Sequence, residues 1–345
     1  MNLVHLHLLL NHVPTVGTII AFGVLLLALT QKSDDLLRAS FALFFAIALV
    51  SLPTYMTGHS AEAVVKERPG VNLELIALHQ SAALLALTFM EATGVAAWFG
   101  LWQARKPTGR SKWAVPSVLL LSVVTIALMA NAANLGGEIT HPEILAPGEA
   151  PAAAVGALAP ASLREAAIRY YQFHHPNAWP TLEALHFIGL SLLFGVVLVG
   201  NLRILGFMRN APFIDIHRLL PWGVWGFVIN SVTGMLFFVG QAFQYIDNVA
   251  FHLKVLFMLL AGANVLYLTL FDDVWALERG DSAPLSAKIL AGSQIFLWLG
   301  VIYFGRMLPY IGGAFSGRGA GDWGLGTGKA PQPRLPSPQS PVPSP

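Results

Sequence analysis

The 345-residue chain contains no cysteine. Disulfides, iron–sulfur clusters, thiolate copper sites and a CxxCH-attached haem are thereby excluded. Any metal or haem has to hang on histidine, methionine, carboxylate or tyrosine. Charge is also scarce: Asp, Glu, Lys and Arg make up 11% of the residues, against roughly a quarter in a soluble domain. The net charge is +2, with no basic patch or recognition motif, so nothing points to nucleic acid. A Walker loop, a GxGxxG after a strand, HExxH and GxSxG are all missing, so no soluble-enzyme signature assigns a catalytic residue. The N-terminus MNLVHLHLLLNH lacks a basic n-region and an A-x-A site, and is read as a retained anchor rather than a cleaved signal peptide.

What the chain has is apolar length. Hydrophobic residues make up 55% of it, gathered into eight runs at 9–31, 38–57, 73–102, 113–135, 181–207, 219–241, 252–271 and 287–311. Each is long enough to cross a bilayer, for which roughly 20 residues suffice. The predicted fold is therefore all-α and integral to a membrane, with eight transmembrane helices. Residues 1–137 are read as a first four-helix bundle, and 138–180 as an outer connecting loop with a short interfacial helix at 161–173. Residues 181–313 form a second bundle, and 314–345 a disordered Gly/Pro-rich tail. Eleven Lys and Arg lie in the loops after the odd-numbered spans. The other side holds nine, three of them in the distal tail. By the positive-inside rule both termini face outward, which in a bacterial cytoplasmic membrane is the periplasm.

Histidines recur in a pattern. His12 precedes His79 by 67 residues, and His186 precedes His252 by 66. His12 maps onto His186 at an offset of 174, His79 onto His252 at 173, and Gly136-Gly137 onto Gly312-Gly313 at 176. The halves thus read as a parallel pseudo-repeat of two four-helix bundles. All four histidines fall at the outer ends of their spans, the depth agreement that two imidazoles need to grip one iron. Neutral imidazole is a common haem ligand, and bundles build cofactor sites from facing helices. Bis-histidine haem b, with two sites, is the cofactor that suits cysteine-free, apolar, aromatic-lined bundles. The bland alternative is that histidine is merely tolerated at the membrane interface. His59 and His141 form a weaker alternative pair in the first half, and His5, His7, His174 and His175 add to a histidine-rich outer face. Lys254 and Arg306 sit where haem propionates could be paired, or where they simply snorkel to headgroups. Glu183, one turn before His186, is a candidate to fix its tautomer. Glu91, about 18 Å inward of His79 along its helix, is a candidate for a proton path.

In the first half, LLNHVPTVG, IALHQSAALLAL and NLGGEITHPE resemble a group of uncharacterised four-helix bacterial membrane proteins. In the second, LEALHFIGLSLLFG, RLLPWGVWGFVINSVTG and FHLKVLFMLLAGANVL resemble another such group, and are similar to membrane proteins of the copper-resistance type. The whole resembles the b-type cytochromes built on four-helix membrane bundles. That resemblance implies one haem b at His12/His79, a second at His186/His252, and electron transfer between quinol or a membrane redox subunit and a periplasmic protein. Two other classes stay open: an ion or metal transporter, with Glu91 and the histidines lining a path, and a cofactor-free structural subunit.

Overall fold

The computed structural model describes residues 3–69, 71–105, 112–140, 164–271 and 274–311. Eleven α-helices account for most of these residues, and no strand occurs among them. Helices α1 (Leu3–Leu10) and α2 (His12–Gln31) together make the first span, meeting at Asn11. Then follow α3 (Asp34–Val65), α4 (Leu73–Gln103), α5 (Ala114–Thr140), α6 (Glu165–His174) and α7 (Ala178–Leu205). The short α8 (Phe213–His217) leads into α9 (Leu220–Ile246), and α10 (Val249–Phe271) and α11 (Leu285–Met307) complete the set. Eight helical stretches are long and apolar enough to cross a membrane, so the chain is an integral membrane protein in contact with lipid.

The helix ends follow local chemistry. Ser33 accepts a hydrogen bond from the Leu36 amide, with Asp34 and Asp35 in the first turn of α3. Asn72 accepts from the amides of Glu74 and Leu75 at the start of α4. Both arrangements satisfy orphan donors and favour the positive end of the helix dipole. Lys32 closes α2 in the left-handed conformation at φ 54°, and Gly206 closes α7 at φ 99°.

Two boundaries differ from the sequence reading. Helix α3 continues past residue 57 to Val65, because its last turns are polar yet buried against other protein. Helix α5 runs through Gly136-Gly137 to Thr140. There the Thr140 hydroxyl donates to the Gly136 carbonyl at 3.0 Å, so this glycine pair does not close the span. Within the stretch 161–173 read as a short helix, α6 starts at Glu165 and runs on to His174. The middle of the connection and the Gly/Pro-rich tail lie outside the described residues.

Helices α2, α3, α4 and α5 pack each on the next, and α5 packs back on α2, closing a four-helix ring. Its core is Leu25, Phe44, Ala82, Met90, Val118 and Leu135 among others. In the second half α7 packs on both α9 and α11, and α10 on α11, while α9 and α10 barely meet. Helix α3 contacts both of them. Tyr55, Leu84 and Leu87 of the first half share one buried cluster with Phe238, Val239 and Phe251 of the second. At the far end of the spans Trp98 Nε1 donates to Thr269 Oγ1 at 3.1 Å, and Arg105 Nε donates to the Thr269 carbonyl at 2.8 Å. Arg203, fully buried, donates to the carbonyls of Ala211, Glu278 and Asp281. Those bonds bind the end of α7 to the α8 segment and to the loop before α11.

The closest backbone approach is between α7 and α9 at Gly189 and Gly226. A Cβ on Gly226 would lie 2.6 Å from the Leu193 amide nitrogen and 2.7 Å from the Gly189 carbonyl oxygen. Small residues allow such approach where lipid supplies no hydrophobic drive between helices. Gly226→Ala is expected to cost about 1–3 kcal/mol, the range for overpacking a tight contact. The check is thermal unfolding in detergent. Gly195→Ala, whose Cβ would meet nothing within 4 Å, serves as the unperturbed control.

Candidate functional site

Spans alternate in direction, so the starts of α1, α4, α7 and α10 share one side of the membrane with the ends of α3, α5, α9 and α11. Most of the histidines lie there. His79 of α4 points its Nδ1 at the Ala132 carbonyl of α5, at 2.9 Å. A carbonyl only accepts, so Nδ1 carries the proton and Nε2 keeps its lone pair. The ring rests on the next helix at Gly136, where a Cβ would lie 3.1 Å from Cε1. His186 of α7 repeats this logic with a hydroxyl. Thr233 Oγ1 donates to the Ile229 carbonyl at 2.7 Å, and so accepts from His186 Nδ1 at 2.8 Å. Gly234 faces the ring, Phe237 packs edge-on at 5.5 Å, and Asn230 ties the His186 carbonyl to α9 at 3.0 Å. His7 of α1 is the third of the kind: Nδ1 meets the Thr54 carbonyl at 2.9 Å, and the ring lies against Gly58. Among the described residues none of these three Nε2 atoms is hydrogen-bonded.

The remaining residues predicted as sites fall elsewhere. His12 is exposed at the start of α2 and makes no side-chain hydrogen bond among the described residues. His252 is exposed too, and its Nε2 donates backward to the Ile246 carbonyl at 2.8 Å. The two rings expected to pair, His186 and His252, thus bond to different partners, Thr233 and Ile246. Lys254 acts electrostatically on His186, and the end of its side chain, Nζ nearest, lies against Gly305. Arg306 is exposed. Glu183 accepts from Trp179 Nε1 at 3.3 Å, and Thr233 takes the tautomer-fixing role expected of it. Glu91 lies within α4 with one carboxyl oxygen buried and without a hydrogen-bond partner among the described residues. His141, and with it the His59/His141 pairing, lies outside the described residues.

His59 itself occupies a site that spacing between histidines does not reveal. It is 3% exposed and sits between two carboxylates. Glu62 Oε2 is 3.2 Å from Nδ1, and Glu165 Oε1 of α6 is 3.7 Å from Nε2. Glu62 also accepts from Gln80 and pairs with Lys66. Glu165 accepts from the Tyr55 hydroxyl and lies 3.8 Å from the Arg169 guanidinium. Tyr55, Phe238 and Phe243 surround the imidazole at centroid distances of 5.3, 5.2 and 6.3 Å, and the Lys66 ammonium stands 5.6 Å over Phe243. Buried charges persist when they are paired and hydrogen-bonded. Here the pairing joins α3 and α4 to α6, which in turn bonds α9 through Arg169 Nε to Val239 O and Gln172 Nε2 to Leu236 O. A usable signal was present: Tyr55, His59, Glu62 and Lys66 recur at steps of four, three and four, one face of a helix.

On the opposite side a cavity of 140 Å³ opens among α4, α7, α9, α10 and α11, lined by Trp98, Asn201, Gly223, Leu268, Trp275 and Gln294. That is room for a benzene-sized ring, not for a porphyrin. Nearby, His217 lies in a box formed by Trp102, Phe213 and Trp275 at 5.5, 5.6 and 4.8 Å. Among the described residues no group of three or more His, Asp or Glu is placed to hold a metal ion.

Glu165→Ala leaves Tyr55, His59 and Arg169 without their shared acceptor. Breaking a buried pair in this way is expected to cost about 3–5 kcal/mol. Tyr55→Phe, which removes one hydrogen bond, should cost about 1–3 kcal/mol. In both variants hydrogen exchange should speed up first at the amides of α6, and unchanged α6 protection would mean that other contacts dock that helix.

Comparison with known protein families, curated proteins and solved structures finds no match to this chain.

Proposed function

We propose that this chain is a haem b-binding electron-transfer protein of a bacterial cytoplasmic membrane, with His79 and His186 each supplying an axial imidazole in its own half. The observation that carries the reading is the state of those two rings. Each has its Nδ1 proton occupied by an acceptor on the next helix, and each keeps an Nε2 lone pair at the same side of the membrane. Such partners orient a ligating imidazole and raise its basicity. The donor count supports haem over a bare metal ion. Zinc asks the protein for three or four ligands, whereas haem iron, held by its porphyrin nitrogens, asks for one or two, and no group of three metal-ligating side chains forms among the described residues.

Haem b, when bound, supplies a one-electron couple. The chain's own part is to hold the imidazoles in one tautomer and, at His186, to pack the ring against Phe237, which Trp179 backs. Lys254, beside His186, provides a cation for an acidic group in the second half. The sites lie on the side carrying the chain's N-terminus. In the predicted orientation this is the periplasmic side, where quinol or a membrane redox subunit would donate and a periplasmic protein would accept. A second reading, ion transport, is favoured by Glu91 and its unpartnered oxygen inside the membrane. It requires proton or cation flux through proteoliposomes that Glu91→Gln abolishes.

The purified protein is expected to show a b-type α-band in a reduced-minus-oxidised spectrum. His79→Ala and His186→Ala should each remove about one haem per chain by pyridine haemochrome, each having lost an axial ligand, while His252→Ala keeps its haem. A colourless protein from cells supplied with haem would overturn the reading.

A further inference from the structure

The haem reading leaves the second axial ligand of the first half open, and the following inference rests on that reading. We propose that the first bundle holds its iron between His7 and His79, so that His7, rather than His12, is the partner of His79.

The argument begins with restraint. An axial ligand has to be held in place before the iron arrives, because each freely rotating side chain ordered at a site weakens binding. His12 is exposed and nothing among the described residues fixes its ring. His7 is fixed three times over. Its Nδ1 lies 2.9 Å from the Thr54 carbonyl and 3.4 Å from Thr57 Oγ1, and Gly58 leaves room for the ring where a Cβ would approach Cε1 to 3.2 Å. Thr57 Oγ1 donates to the Pro53 carbonyl at 2.8 Å, so it too presents a lone pair to Nδ1. The result is one tautomer, with the proton on Nδ1 and the lone pair on Nε2.

His79 is built the same way on the other side of the ring of helices. A backbone carbonyl takes its Nδ1 proton, and a glycine on the neighbouring helix takes its flat edge. The correspondence extends to the spacing. In α3 the carbonyl acceptor Thr54 and the glycine Gly58 are four residues apart; in α5 Ala132 and Gly136 are also four apart. Each ring thus lies along one turn of a helix that offers a carbonyl and a glycine on one stripe. Helix α3, on which His7 rests, packs on α4, which carries His79. His59, which follows Gly58, reaches Gln80 Nε2 at 3.5 Å, and Gln80 follows His79. Two neutral imidazoles with free Nε2 atoms, at the mouth of one bundle and with no third metal-ligating side chain grouped with them, suit the two axial positions of a haem iron.

Asn11 keeps helical backbone angles, φ −61° and ψ −24°, and its amide donates to the His7 carbonyl at 2.9 Å, so the first span continues through it. Helix α1 packs on α3, which is where His7 finds its partners.

The test uses the full-length protein, purified from cells supplied with haem, as wild type and as His7→Ala, His12→Ala, His79→Ala and His7→Met. Haem per chain is measured by pyridine haemochrome, and axial ligation by the low-spin EPR spectrum and the midpoint potential. The expected result is that His7→Ala and His79→Ala lose the same haem and the double variant loses no more than either, while His12→Ala keeps full haem. His7→Met retains a ligand, and should retain haem with a spectrum changed to His/Met ligation and a raised potential. A folding defect would not produce that signature. If His12→Ala loses the haem while His7→Ala keeps it with its spectrum intact, or if His7→Met leaves spectrum and potential unchanged, the His7 assignment is wrong and the haem reading stands. A colourless wild type overturns the haem reading itself.

Discussion

A polar group that enters the hydrocarbon of a membrane has to find its partner within the protein, because no water is there to take its place. That constraint organises this chain. Nine of every ten residues carry no charge, and the few side chains that do, when buried, are gathered rather than scattered. Arg203 is fully buried because three carbonyls receive its guanidinium. Glu62 and Glu165 are buried because Lys66, Arg169, Gln80, Tyr55 and His59 converge on them. Glu91 departs from the pattern, with a carboxyl oxygen that the described residues leave unmatched, and such a departure inside a membrane is where function is sought first.

The same constraint sorts the histidines. An imidazole has two nitrogens, and in lipid each has to be assigned. His7, His79 and His186 give their Nδ1 protons to a neighbouring helix and hold Nε2 in reserve. His252 gives Nε2 to its own chain six residues back. His59 has a carboxylate at each nitrogen and acts as a joint. Histidines that look equivalent by position along the chain are therefore different chemically, and the difference comes from which acceptor lies within 3 Å.

The two halves are not independent. The closed ring of α2 to α5 is sealed by its own aliphatic core, but the second set is open between α9 and α10, and α3 lies against both. Helix α6 then ties this arrangement together through Glu165. A chain cut in the connection would expose Tyr55, Phe238 and Phe251, which share one cluster, and would strand the charges around His59.

Much of this was legible in the residues alone. The eight spans follow from apolar runs that only a bilayer accommodates, and the absence of cysteine restricts any metal chemistry to histidine, methionine and oxygen ligands. The depth of His79 and His186, near the ends of their spans, was also readable. The partners were not. Equal spacing of 67 and 66 residues pointed to His12 and His252, but spacing along the chain says nothing about rotation around a helix axis, and both of those rings are exposed. Thr233 and Ala132 as acceptors, Gly58, Gly136 and Gly234 as resting places, and the charge cluster that joins α3 to α6 were decided by tertiary structure, because each depends on which face of one helix meets which face of another.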